Sequence, residues 1–238
     1  MVSEERLAHI FRKVASDYGY STVSADYIKD PQPKIYWERS QDWINFHITD
    51  YLRDAPEDVL FDLADTLCTK IFDDPYAEYG SIFYNWITGD SYAAQNQAVY
   101  IRRNDGIDGP STELEDSYNR LRREGHIGAM KPNARLVWME DCTPHTDNTS
   151  CLVRAGMINS AFRDGRLAND PDALDFAVLR SLSKMNTDWS RGRGYDEQEL
   201  TESLLERYPE YDEAYSRIVG AGLRNKKAKN ILFRRIRK

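Results

Sequence analysis

Cysteine and histidine are both scarce in this sequence, which has three cysteines and four histidines among 238 residues. An odd, low cysteine count does not provide a disulfide framework and predicts a reducing environment. The chain also lacks an apolar run near the roughly 20 residues that a membrane-spanning helix needs. Its acidic N-terminus has no apolar segment of the kind that secretory signals carry. We therefore expect a cytoplasmic protein that does not enter a membrane.

Acidic residues are missing from one end of the sequence. From Arg217 to Lys238 there are nine lysines and arginines and no Asp or Glu, although the whole chain has a net charge of −7. The overall charge argues against general attraction to nucleic acid. The local pattern, basic residues interleaved with apolar ones, is typical of a nucleic-acid-binding segment. The alternatives are a segment that docks on the domain and a disordered tail. The candidate nucleic-acid contacts are Lys226, Lys227, Lys229, Arg234, Arg235 and Arg237.

Apolar and aromatic residues are plentiful, at 41% and 12% of the chain, which is enough for a core without disulfides or metals. Apolar periodicity predicts helices over residues 3–17, 55–72, 111–125, 172–186, 197–208 and 212–223. Segments rich in β-branched and aromatic residues predict strands over residues 34–40, 42–52, 134–140 and 151–162. The polar segment over residues 141–150 predicts a hairpin loop between the last two. This order indicates an α+β fold with a mostly antiparallel sheet. We expect one domain over residues 1–223 and a basic tail over 224–238.

The predicted helix over residues 172–186, DALDFAVLRSLSKMN, has a polar centre in an otherwise apolar segment. Arg180, Ser181 and Lys184 lie there, and the two cations are four residues apart. Residues at i and i+4 share one face of a helix. Ser181 and Lys184 also match the Ser-x-x-Lys pattern of penicillin-recognising enzymes, but the Lys-Thr-Gly partner motif is missing from the sequence.

Strands followed by a helix, a loop and a second helix are a recurrent arrangement in zinc hydrolases. In those enzymes the first helix carries His-Glu-x-x-His, with two zinc ligands and a general base. The segment DFAVLRSLSKMN, followed by YDEQELTESLLERYPEYDEAY, resembles the SprT/YgjP-like (minigluzincin-type) zinc metallopeptidases over residues 33–72 and 134–220. The resemblance implies a zincin-like half over about residues 133–223, with an active-site-type helix, and a helical elaboration before it.

The chain departs from this family at the residues that define its chemistry. By this resemblance Arg180 and Lys184 stand where the family has its two histidines, Ser181 stands where it has the glutamate, and Tyr195 stands at the third ligand position. Protonated Arg and Lys offer no lone pair to a metal. Each repels a dication by several kcal/mol at about 5 Å and an effective dielectric near 20. We therefore expect no catalytic residue and no zinc cofactor at this location.

The sequence leaves three roles open for the residues of the former zinc site. The two cations form ion pairs with nearby carboxylates such as Asp188, they line an anion pocket with Arg191 and Arg193, or a different metal site uses Asp188, Asp196 or Glu197. Elsewhere, Cys142, His145 and Cys151 lie close together in sequence with a spacing loosely like that of zinc ligands. The alternative for these three is an ordinary loop with packed thiols.

The sequence thus predicts a pseudoenzyme, a metallopeptidase-like protein that has lost its zinc site and acts by binding. A protein or peptide partner laid along the sheet edge beside the former active site is the expected ligand. Two hypotheses from other classes compete with it. One is an active metal-dependent hydrolase with non-standard ligands. The other is a nucleic-acid-binding module that uses the basic tail.

Overall fold

The structure is a computed structural model that describes residues 1–141, 144–187 and 196–223. These residues group into two compact units, and the boundary between them lies at Asn96 and Gln97, inside one helix. We call residues 1–96 the N-terminal unit and the described residues from 97 to 223 the C-terminal unit. The sequence prediction had placed both in one domain.

The N-terminal unit is a three-stranded sheet with helices on one face. Its elements are α1 (Glu4–Asp17), β1 (Thr22–Ile28), β2 (Ile35–Arg39), β3 (Trp43–Thr49), α2 (Glu57–Phe72), α3 (Ser81–Ile87) and the first part of α4 (Asp90–Arg103). The strand order is β1-β3-β2, with β1 parallel and β2 antiparallel to β3. Ile44, Phe46 and Ile48 alternate along β3 and are fully buried. The ring of Phe46 lies 4.8 Å from that of Phe11 on α1. One face of this sheet is therefore the core face.

The C-terminal unit is a four-stranded mixed sheet with a central buried helix. Its elements are the end of α4, β4 (Gly106–Ile107), α5 (Thr112–Arg123), β5 (Arg135–Met139), β6 (Asp147–Ser150), β7 (Ala155–Asn159), α6 (Pro171–Asn186), α7 (Glu197–Arg207) and α8 (Asp212–Gly220). The strand order is β4-β5-β7-β6, so β6 is an edge strand within this sheet. Helix α6 contacts β6, β7, α5, α7 and α8.

The α+β class is confirmed, but the prediction of a mostly antiparallel sheet is wrong in detail. Strands β5 and β7 are parallel, as are β1 and β3, and both sheets are mixed. Residues 141–150 had been predicted to form a hairpin loop between two antiparallel strands. Instead Asp147–Ser150 form strand β6, which takes the antiparallel position beside β7. Because β6 is polar and short, its sequence carries no strand signal.

Helix α6 begins and ends where its sequence predicts. The Asp170 side chain accepts a hydrogen bond from the Ala173 N–H, Pro171 occupies the first turn, and the helix ends at Asn186. Twelve of its sixteen residues are buried, among them Asp175, Arg180 and Lys184. A buried charge is costly without a partner, so the surroundings of these side chains decide what the helix does.

Candidate functional site: a buried charge cluster on helix α6

Arg180 and Lys184 both bind Asp147, the first residue of strand β6. The Arg180 guanidinium donates to Asp147 Oδ1, and Lys184 Nζ donates to Asp147 Oδ2 over 2.9 Å. The Asp147 side chain has no exposed surface, and those of Arg180 and Lys184 are 5% and 7% exposed. The two cations therefore hold one carboxylate between them in the interior of the C-terminal unit.

A second carboxylate reaches the same two cations from helix α7. Glu197, the first residue of α7, accepts from Arg180 Nη2 through Oε2 and from Lys184 Nζ through Oε1, both over 3.2 Å. Its side chain is 34% exposed, so this carboxylate lies at the solvent side of the group. We call Asp147, Arg180, Lys184 and Glu197 the charge cluster. Its formal charges sum to zero, which makes burial tolerable.

Hydroxyl groups also contact the cluster. Arg180 Nε donates to Thr201 Oγ1 over 3.0 Å, and Thr149 Oγ1 donates to Asp147 Oδ2 over 2.9 Å. Ser181 is fully buried, and its hydroxyl lies 2.7 Å from Thr149 Oγ1. A nucleophilic serine must meet a substrate. The buried Ser181 is instead part of the contact between α6 and β6.

The protonation state of Asp147 follows from this environment. Burial by itself raises the pKa of its carboxyl group, but the charges of Arg180 and Lys184 and the hydrogen bonds from Lys184 and Thr149 outweigh burial. The net result is a pKa well below the usual range for aspartate. Asp147 is therefore ionised at neutral pH and serves as the counter-ion of both cations.

The structure settles the position of some predicted site residues. Arg180 and Lys184 lie on one face of α6, as their spacing predicts, and Ser181 faces the sheet beside them. The predicted ion pairing is present, but its described partners come from β6 and α7. Asp188, the partner proposed from spacing, lies outside the described residues, as do Arg191, Arg193, Tyr195, Cys142 and all six tail candidates, Lys226, Lys227, Lys229, Arg234, Arg235 and Arg237.

The remaining thiol and imidazole candidates have ordinary surroundings. His145 accepts a hydrogen bond from Asn159 Nδ2 through its backbone oxygen, and Cys151 is half-buried. Within the described part of the chain, no group of three or more His, Cys, Asp or Glu side chains is arranged to hold a metal ion.

Sequence reasoning missed the residues that complete the cluster. Asp147, Thr146 and Thr149 lie in a segment predicted to be a loop, and Glu197 was considered only as a metal ligand. Because Thr146, Asp147 and Glu197 lie 13 to 37 positions away from the cations they contact, helical spacing does not reveal them. The one available signal was the excess of positive charge at the centre of α6, which requires carboxylates from elsewhere.

A concavity of the C-terminal unit with apolar lining residues lies at another place. It has a volume of about 370 Å³ and is lined by residues of α5, of β5 and of the segments before each. Leu114, Tyr118, Met130 and Leu136 supply its apolar surface, and Arg180 and Lys184 are not among its lining residues. The charge cluster is thus part of the packed interior rather than the wall of this cavity.

Comparison of the chain with protein-family models, with curated proteins and with solved structures found no match. No helix among the described residues combines the length and apolar character needed to cross a membrane. The function must therefore be argued from the charge cluster and its surroundings.

Proposed function

We propose that the C-terminal unit is a metallopeptidase-like module in which a charge cluster has replaced the zinc site, and that it acts by binding a peptide segment of a partner protein. The observation that carries this proposal is the convergence of Arg180 and Lys184 on Glu197. Two side chains at i and i+4 on one helix and one carboxylate from the next helix are the ligand arrangement of a two-histidine, one-glutamate zinc site. In this proposal Glu197 takes the third ligand position, which the resemblance had assigned to Tyr195.

The chemistry of the cluster opposes both metal binding and hydrolysis. The guanidinium of Arg180 and the ammonium of Lys184 occupy the positions from which two imidazoles would donate lone pairs. Ser181 stands at the position of the general base and is hydrogen-bonded to Thr149. Metal-assisted hydrolysis needs a polarised water and a base to take its proton. These side chains provide neither, so binding is the activity that this framework supports best.

Strand β6 is the part of the framework suited to a peptide. It is an edge strand, and Asn148, Thr149 and Ser150 are half-buried. The Asn159 N–H donates to the Thr146 carbonyl, and bonding alternates along an antiparallel pair. The backbone groups of Asp147 and Thr149 therefore point away from β7. An extended peptide can add to such an edge through main-chain hydrogen bonds, beside the charge cluster.

Metal analysis and a peptidase assay of the purified full chain test the first half of the proposal. We expect no bound zinc after incubation with excess zinc and dialysis, and no cleavage of unfolded casein with or without added zinc. Stoichiometric zinc together with a chelator-sensitive peptidase activity would overturn the proposal and favour a hydrolase with non-standard ligands.

A displayed random-peptide library tests the second half. Peptides selected on the wild-type chain are expected to lose binding to Thr149→Pro, which removes the outward N–H of β6. Thr149→Val is the matched control, since it also removes the hydroxyl but keeps the N–H. If the selected peptides bind the proline variant as well as the valine variant, the edge of β6 is not their binding site.

The basic segment over residues 224–238 supports a second candidate function. It carries eight lysines and arginines in 15 residues, with four apolar residues among them. Neutralised phosphates make nucleic-acid affinity fall steeply with salt. A gel-shift titration at two salt concentrations, on the full chain and on a chain ending at Leu223, distinguishes the two functions. Equal retention by both chains would exclude a role for the tail.

A further inference from the structure

Strand β2 of the N-terminal unit is an edge strand with an unusual surface. It pairs with β3 on one side, and β2 is the last strand of its sheet. Four of its five residues are exposed, including Tyr36 at 42% and Trp37 at 43%. An exposed edge strand is a template for pairing with another strand. Charged residues on an edge oppose unspecific pairing, so a partner of β2 must match its charges.

The backbone of β2 offers hydrogen-bonding groups on the open side. The Ser40 N–H donates to the Trp43 carbonyl, which shows that Ser40 points towards β3. Alternation then directs the N–H and C=O groups of Ile35, Trp37 and Arg39 away from β3. Lys34 precedes this stretch and Glu38 lies within it, and neither side chain has a hydrogen bond or ion pair among the described residues. Two opposite charges are thus available to a partner.

We propose that β2 is a self-association surface that pairs antiparallel with β2 of a second copy about a two-fold axis at Tyr36. This register places Lys34 opposite Glu38 of the second copy, and the symmetry repeats the pair. It also places Ile35 opposite Trp37 of the second copy, again twice. Opposite charges and apolar pairs directly across a ladder both stabilise it. In this register the outward N–H and C=O groups of Ile35 lie opposite those of Trp37 of the second copy, so they can form hydrogen bonds.

Other registers are less complementary. A two-fold axis at Glu38 places two glutamates opposite each other, and an in-register parallel pairing places Lys34 opposite Lys34. Like charges directly across a ladder destabilise it. An axis at Trp37 places Lys34 opposite Ser40 and Ile35 opposite Arg39, so it forms no ion pair. Pro33, which lacks an N–H, limits the ladder at one end. Because the two-fold arrangement uses one edge from each copy, it closes at a dimer.

A charge-swap series measured by sedimentation equilibrium tests this proposal on the full chain. The wild type is expected to be in equilibrium between monomer and dimer. Glu38→Lys and Lys34→Glu should each raise the dimer dissociation constant at least about tenfold, because each creates two like-charge pairs. The double variant Lys34→Glu/Glu38→Lys restores both pairs in reversed order and should return the constant to within about threefold of the wild type.

Glu206→Lys on α7 is the matched control, since it makes the same charge change at another exposed glutamate. It should leave the dissociation constant unchanged. Far-UV circular dichroism checks that all variants are folded. A wild type that stays monomeric up to about 100 μM would overturn the proposal. So would a dimer that either single substitution leaves intact, or one that the double substitution does not restore.

Discussion

Strand β2 of the N-terminal unit exposes Tyr36 and Trp37, whereas helix α6 of the C-terminal unit buries Arg180 and Lys184. Each arrangement is the reverse of the usual preference, which puts aromatic groups inside and cations outside. The buried cations are matched by two carboxylates and several hydroxyls within the unit. The exposed strand has no such internal match for Lys34 or Glu38 within the described residues. The charges of the buried cluster are balanced by carboxylates of the same unit, whereas we propose that the charges of β2 are balanced by a partner.

The energetic consequences of the two regions differ in kind. Inside the C-terminal unit, removing one member of a buried ion pair leaves another charge without compensation, which is costly. On β2, removing an exposed side chain changes the folded monomer little, because water already solvates it.

Asp147→Asn is expected to destabilise the chain by roughly 3–5 kcal/mol, because it leaves Arg180 and Lys184 buried with one carboxylate fewer. The measurement is urea unfolding followed by circular dichroism at neutral pH. Asp26→Asn on the N-terminal sheet is the control, since Asp26 is about half exposed and pairs with His47. Equal losses of unfolding free energy in the two variants would show that Asp147 contributes no more to stability than the exposed Asp26 does.

The contribution of Asp147 should depend on pH in a defined direction. Its pKa is lowered in the folded state, so the unfolded chain takes up the proton first, at about pH 4. The stabilisation is therefore present above about pH 4 and is lost as the pH falls through the lower folded-state pKa. We expect the stability difference between the wild type and Asp147→Asn to be constant at neutral pH and to narrow below about pH 4. A difference that widens in acid would contradict the assignment of Asp147 as an ionised partner.

Gly156→Ala is expected to cost about 1–3 kcal/mol by overpacking the contact between β7 and α6. A Cβ atom at Gly156 would lie 2.3 Å from Ser181 Oγ and 2.8 Å from Leu136 Cδ2. Adding Ser181→Ala should recover part of the loss in thermal unfolding. Gly128→Ala is the control, because a Cβ there meets nothing within 4 Å. A fully tolerated Gly156→Ala would mean that α6 packs less tightly on the sheet than the structure indicates.

Trp37→Ala on β2 should have the smallest effect on stability, below about 1 kcal/mol, since the residue lies at the surface and is 43% exposed. The same substitution should weaken self-association, because it removes two Ile35–Trp37 pairs from the proposed dimer. Thermal unfolding at low concentration and sedimentation at high concentration separate the two effects. A large loss of monomer stability with an unchanged dimer dissociation constant would show that Trp37 stabilises the folded monomer and not the proposed dimer.

Much of the helical structure was predictable because local signals are strong. The apolar stripe of α2, the Ser111 cap of α5 and the Pro171 start of α6 are all encoded within a few residues. Strand β6 was not predictable, because DNTS has weak strand propensity and forms a strand only by pairing with β7. Because β6 lies between β5 and β7 in the chain and is antiparallel to β7, the strands β5 and β7 can be parallel neighbours.

Of the charge cluster, only the part that α6 contributes was predictable from the sequence. The spacing of Arg180 and Lys184 places both on one face of α6 from sequence alone. Their partners Asp147 and Glu197 come from two other elements, and no local pattern links them to α6. The need for buried countercharge was therefore predictable, while its source depended on the tertiary fold.

The most direct test of the central claim is to restore the proposed zinc ligands. The triple variant Arg180→His/Ser181→Glu/Lys184→His keeps Glu197 as the third ligand, and the control Arg180→Met/Lys184→Met removes the same cations without adding ligands. Zinc titration with metal analysis is the measurement. We expect stoichiometric zinc in the triple variant and no bound zinc in the methionine control. Adding Glu197→Gln to the triple variant should lower its zinc affinity at least about tenfold. A folded triple variant that holds no more zinc than the methionine control would contradict the claim that this cluster replaces a metal site.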